Sequence, residues 1–134
     1  MDIENLLSLQ STEIDNTLFH LNKRYNQNKI YTYAGKILIA VNPFQITDLY
    51  SDELKNKFLI DKNFKQPHLY ELANDAIHSN ETNLAFLISG ESGSGKTEST
   101  KRLLDYFASY YKDVNNILPR SEEHTSELQS RQYL

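Results

Sequence analysis

The chain has 134 residues, 39% of them hydrophobic and 24% charged, with a net charge of −4 at pH 7 and no cysteine. That size and balance fit one globular domain with a modest core rather than a disordered chain. The acidic balance argues against a nucleic-acid partner, which would need a basic face; the missing cysteines exclude a disulfide scaffold; and no apolar run approaches the roughly 20 residues of a membrane span.

Met1 is followed by "DIENLLSLQ", without a basic region or a long apolar run, so no secretory signal is expected and a soluble, cytosolic domain is the default expectation. The segment up to about Tyr25 reads as helix, because Ile14, Leu18 and Leu21 recur at i, i+4, i+7 and Thr12 with Asp15 matches a capping box. Tyr31, Thr32 and Tyr33 favour extended chain, Ala34-Gly35 breaks it, and Ile37 to Val41 is a short apolar run that suits a strand buried on both faces. Pro43 ends that run. Ser51 with Asp52 and Glu53 opens a short helix through Phe58, so "FLID", Phe58 to Asp61, reads as a helix end rather than a strand carrying a metal-binding acid.

Pro67 at a first helical position predicts a stronger helix, with Leu69, Leu72, Ala73, Ala76 and Ile77 as its apolar stripe. Leu84 to Ser89 reads as a second buried strand. A long helix follows the glycines to about Tyr111, with Leu103, Leu104, Phe107, Tyr110 and Tyr111 on one face. The alternation is an α/β pattern with too few strands for a full sheet. Apolar periodicity fades from about Asn115. His20, His68, His78 and His124 lie at no metal-ligand spacing and read as surface or core histidines. Lys23-Arg24 and Lys101-Arg102 read as solvated charge on helices, and the nine tyrosines as core and strand residues.

One stretch carries chemistry. Gly90, Gly93, Gly95, Lys96 and Thr97 in "LISGESGSGKTEST" satisfy G-x(4)-G-K-[ST], with an apolar run leading into the loop and an amphipathic helix leaving it. The glycines let backbone N–H groups of Gly90 to Thr97, through Glu91, Ser92 and Ser94, converge on an anion. The helix N-terminus adds partial positive charge. Lys96 then reaches the β- and γ-phosphates, and the Thr97 hydroxyl ligates magnesium. A Glu91 carboxylate aimed into the cradle would oppose the phosphates, at a cost of several kcal/mol at low effective dielectric, so it is expected to turn away, towards some partner of its own.

The loop "GESGSGKTEST" resembles that of myosin motor domains, usually GESGAGKTE. "RYNQNKIYTYAGKILIAVNPF" is similar to the myosin form RYxxxxIYTYxGxxxxAVNPF, "PHLYELANDAIHS" to the helix before the loop, and "TKRLLDYFA" to the helix after it. Together they cover about residues 5 to 111 in order. The resemblance implies a phosphate-loop NTPase type of α/β fold, a partial piece of the myosin head with helices flanking a few strands of a larger sheet. It implies ATP and Mg2+ as cofactors, with Gly90 to Thr97 around the triphosphate and magnesium, Lys96 as the catalytic lysine and Glu98 just behind. Asn42, Pro43, Phe44 and Tyr50 match the segment bordering the adenine. Gln45 and Ile46 follow the Asn-Pro-aromatic triplet where the family often carries basic residues.

Myosins position the attacking water from segments resembling N-x-N-S-S-R-F-G-K and D-x-x-G-x-E. Gly95 is the last glycine here, so neither lies within these residues. The reading is an ATP-binding part of an actin-based motor, with actin met through other parts of the parent, and poor ATPase activity from this chain alone. The alternatives are, from another class, a complete non-catalytic nucleotide- or partner-binding protein and, third and weaker, an unrelated phosphate-loop kinase or ATPase. Residues 1–116 are expected to be motor-domain sequence. Residues 117–134, ending "SEEHTSELQSRQYL", are expected to be an unrelated solvated tail of the kind that read-through of sequencing-adapter DNA leaves.

Overall fold

A computed structural model describes residues 2–11, 13–45 and 47–117, with side chains as far as residue 112. The expectations for Thr12, Ile46 and the tail 118–134 therefore lie outside the described residues. In chain order the elements are α1 (Ile14–Asn26), β1 (Tyr31–Ala34), β2 (Ile37–Ala40), α2 (Asp52–Ile60), α3 (Leu69–Ile77) and α4 (Lys96–Ile117).

Strands β1 and β2 form an antiparallel hairpin, with Tyr31 opposite Ala40 and Ala34 opposite Ile37. Gly35 turns the chain at φ +64°, a conformation that glycine adopts without a Cβ penalty. The N-terminal segment straps this hairpin. Tyr33 N donates to the Glu4 carbonyl at 2.8 Å, and Asn5 Oδ1 accepts from Gly35 N at 3.1 Å.

Arg24 welds α1 to the same hairpin. Its Nε donates to Thr32 Oγ1 at 2.9 Å, Nη2 to the Tyr31 carbonyl at 2.8 Å and Nη1 to Asp2 Oδ1 at 2.8 Å. At 3% exposure Arg24 is not the solvated charge its place beside Lys23 suggests. Every polar bond it makes offsets desolvation of the guanidinium. The apolar stripe of α1 behaves in the opposite way: Ile14 and Leu18 are exposed, so this helix is held by a polar anchor near its C-terminal end.

The core joins β1 to the three later helices through Ile30, Tyr31, Phe58, Leu69, Tyr70, Ala73, Leu103 and Tyr106. Tyr70 of α3 stacks on Tyr106 of α4 with centroids 5.0 Å apart, and Tyr106 Oη donates to Asn74 Oδ1 at 3.1 Å. Burying an aromatic side chain of this kind contributes roughly 2–3 kcal/mol. Ser51 caps α2 by accepting from Leu54 N at 3.2 Å, and α2 ends at Ile60, so "FLID" is a helix end.

Helix α3 begins two residues later than proline chemistry suggests. Leu69, not Pro67, is the first helical residue, and His68 is the N-cap, its Nδ1 accepting from Tyr70 N at 2.9 Å. The bare Nδ1 puts the imidazole proton on Nε2, which donates to the Leu49 carbonyl at 2.7 Å. Burial pushes the His68 pKa down to about 4, against the partial opposition of that carbonyl.

Neither expected buried strand is buried on both faces. Ile37 is 68% exposed, and β2 ends at Ala40. Residues 84–89 run without a ladder partner among the described residues; Leu87 is 93% exposed, while Phe86 and Ile88 pack against the core. Alternate side chains thus meet protein and solvent, because one face alone has α3 and α4 behind it. Helix α4 extends past the expected end at Tyr111 to Ile117, and its buried residues up to 112 are Leu103 and Tyr106. The sheet itself is two-stranded and antiparallel.

The glycine-rich loop as candidate functional site

Residues 90–95 curl between the extended segment and the first turn of α4. Gly90, Gly93 and Gly95 all take positive φ, at +156°, +82° and +98°. The curl is tightest at Gly90, where a Cβ would lie 2.5 Å from Ser94 Oγ and 3.2 Å from Ser94 Cβ. Ser94 N donates to the Glu91 carbonyl at 3.1 Å, and Ser99 N to the Gly95 carbonyl at 2.9 Å, which starts the helix.

Lys96, the first residue of α4, donates from Nζ to the Gly90 carbonyl and so bridges the two ends of the loop. Ser92, Ser94, Thr97 and Glu98 are exposed around it. Glu98 pairs with Arg102 Nη2 at 3.3 Å, one turn further on. Glu91 is exposed, and its carboxylate has no partner among the described residues. The partner expected for it is therefore not found among those residues.

The segment after β2 comes against this loop. Asn42 Nδ2 donates to the Gly93 carbonyl at 3.0 Å, and its Oδ1 accepts from Phe44 N at 2.8 Å. The Pro43 carbonyl accepts from Tyr25 Oη at 3.4 Å. Tyr50 closes a 3-10 turn at Asp48–Tyr50, and its hydroxyl is hydrogen-bonded to that of Tyr31. A cleft of about 180 Å³ lies between the two segments, lined among others by Asn42, Pro43, Tyr50, Ser94, Gly95 and Arg102. Asn42, Pro43 and Tyr50 are thereby brought together with the loop. Phe44 is not: it does not line the cleft, it is 82% exposed, and it holds φ +53°.

Arg102, read from sequence as solvated charge, is half-buried with its guanidinium 4.4 Å from the centre of the Tyr50 ring. The clue available was its place four residues after Glu98, a spacing that pairs side chains on a helix. Among the described residues no group of three or more His, Cys, Asp or Glu side chains could hold a metal ion. No helix among them is long and apolar enough to cross a membrane.

The site is thus a glycine loop curled onto a helix N-terminus, with a positive φ and a crowded Cβ position at Gly90, carried by a helical domain with a small sheet. Its wider kinship is equally definite. The family profile described as myosin head (motor domain) matches residues 3–131. The chain is 40% identical over 111 residues to the Myosin-I heavy chain of Dictyostelium discoideum, a match covering 79% of this chain and 5% of that one. It is 42% identical over 113 residues to the Myosin-J heavy chain of the same organism, covering 81% and 5%. With Myosin-1 of Arabidopsis thaliana it shares 40% identity over 109 residues, covering 79% and 9%. The chain belongs to the myosin head (motor domain) family, and it spans 5% to 9% of the length of these relatives.

Proposed function

We propose that this chain is the ATP-binding part of an actin-based myosin motor, of phosphate-loop NTPase type, and that residues 90–97 hold the triphosphate of ATP with Mg2+. The observation that carries the reading is the tight curl at Gly90 on a helix N-terminus, within a chain of this family. Backbone N–H groups of the loop and the first turn of α4 supply donors for the phosphates. Lys96 exchanges the Gly90 carbonyl for the β- and γ-phosphates, the Thr97 hydroxyl ligates magnesium, and Glu98 stands behind it. The bound metal neutralises phosphate charge. Asn42, Pro43 and Tyr50 stand on the adenine side, and Phe44 lies outside the cleft. In the whole motor, hydrolysis drives movement along actin filaments in the cytoplasm.

Binding without turnover is the second reading. It concerns these 134 residues alone, within which no glycine follows Gly95 and both water-positioning segments require one. Titration of a fluorescent ATP analogue with Mg2+ tests the first reading: binding should saturate and be lost in Lys96→Ala, while phosphate release stays at background. Equal binding by both proteins would defeat it. We further divide the chain into motor-domain sequence at 1–116 and an unrelated tail at 117–134. The family match itself reaches residue 131, so this division rests on residue character alone. Genomic sequence encoding the tail in frame would remove it.

A further inference from the structure

We infer that Asn42 is a positioning residue that braces the phosphate loop, rather than a contact to the base. The inference rests on the reading of 90–97 as the phosphate site. Both ends of the Asn42 amide are engaged with backbone: Nδ2 donates to the Gly93 carbonyl at 3.0 Å, and Oδ1 accepts from Phe44 N at 2.8 Å. The bond to Gly93 reaches across 51 residues of sequence.

The other hydrogen bonds at the loop are local. Lys96 and Ser94 tie the loop to itself, through the Gly90 and Glu91 carbonyls, and Ser99 ties Gly95 to the helix. Among the described residues Asn42 makes the one hydrogen bond from outside the loop and α4 to residues 90–95. Gly93 sits at φ +82° with no atom within 4 Å of where a Cβ would be, so the side-chain face of this residue is open. The amide also lies along the helix start, with its Cγ and Nδ2 3.9 Å from a Cβ built at Gly95. On its other side the amide oxygen holds Phe44, a non-glycine residue at φ +53°, in a strained conformation that persists only where surrounding structure dictates it. Asn42 therefore joins the turn at 42–44 to the loop and spends its polar groups on that joint.

Magnesium tripolyphosphate, which has the phosphates and no base, separates the two roles. Its affinity and that of MgATP would be measured by titration calorimetry for the 134-residue chain, Asn42→Ala and Asn42→Ser, with thermal melting recorded for each. Ser retains an oxygen able to accept from Phe44 N but is too short to reach Gly93. A brace lost should weaken both ligands by the same factor, about tenfold for one hydrogen bond, in both variants. Weakened MgATP with unchanged tripolyphosphate would make Asn42 a base contact and overturn the inference. Full affinity in Asn42→Ser would also overturn it, by assigning the effect to the turn. Tripolyphosphate failing to bind the unaltered chain would instead defeat the phosphate-site reading beneath it. Should Asn42→Ala not fold, Asn42→Ser carries the comparison.

Discussion

His68 makes the fold answer to pH in a range where few groups titrate. Its pKa falls from 6.5 to about 4 on folding, because the ring is buried between the Leu49 carbonyl and the first turn of α3. Protonation would place a hydrogen on Nδ1, against the N–H of Tyr70 that this nitrogen now accepts. Between the two pKa values the unfolded chain binds more protons than the folded one. The stabilisation is therefore full above pH 6.5 and is lost as pH falls towards 4. The gap corresponds to roughly 3 kcal/mol in all, of which about 1.4 kcal/mol is lost by pH 5.5. His68→Asn keeps an acceptor suited to an N-cap and removes the titration. Urea unfolding followed by far-UV circular dichroism at pH 7.5, 5.5 and 4.5 should show the stability gap between the two proteins closing by about these amounts. Carboxyls such as Asp2, held below its usual pKa mainly by the Lys29 ammonium, and Glu71, raised by burial, titrate in both proteins and cancel. A gap that stays constant over that range would refute the assignment.

Four further substitutions test other parts of the structure. Gly90→Ala should abolish MgATP binding, since its Cβ would collide with Ser94 and its φ of +156° suits glycine alone. Gly93→Ala, in open space at φ +82°, should cost only about 1–2 kcal/mol; calorimetry that reversed this order would contradict the loop geometry. Arg24→Met removes this donor from Thr32 and the Tyr31 carbonyl and leaves Asp2 with Lys29 alone, and chemical denaturation should show a loss of about 3 kcal/mol. A loss below about 1 kcal/mol would mean that the anchor is replaceable. Leu87→Lys should leave stability within about 0.5 kcal/mol and reduce self-association in sedimentation velocity. A large destabilisation would restore the buried strand expected from sequence.

Contiguity decided what could be read in advance. The loop was legible because Gly90 to Thr97 are neighbours in sequence and their spacing alone specifies the curl. Ser51 and the stripe of α3 were legible for the same reason, since caps and helical faces are local. Residues 84–89 were not, because an apolar run says that a strand could form there and nothing about which chain lies beside it. Arg24 was misread because its partners stand 8 and 22 residues away in sequence, at Thr32 and Asp2, and adjacency to Lys23 mimics an exposed basic pair. At the site, Asn42 and Tyr50 could be proposed only from the resemblance. Arg102 was missed because what buries it is an aromatic ring brought up from a distant turn.

The position of the Tyr70–Tyr106 stack gives α4 a mechanical character. The helix has 22 residues and a length of about 33 Å. Tyr106 stands near its midpoint, about 15 Å from Lys96 and about 17 Å from Ile117. Packing of Leu103, Tyr106 and Phe107 against the core anchors this rod at its middle, so Tyr106→Ala would loosen α4 from α3 while leaving every residue of the loop unchanged.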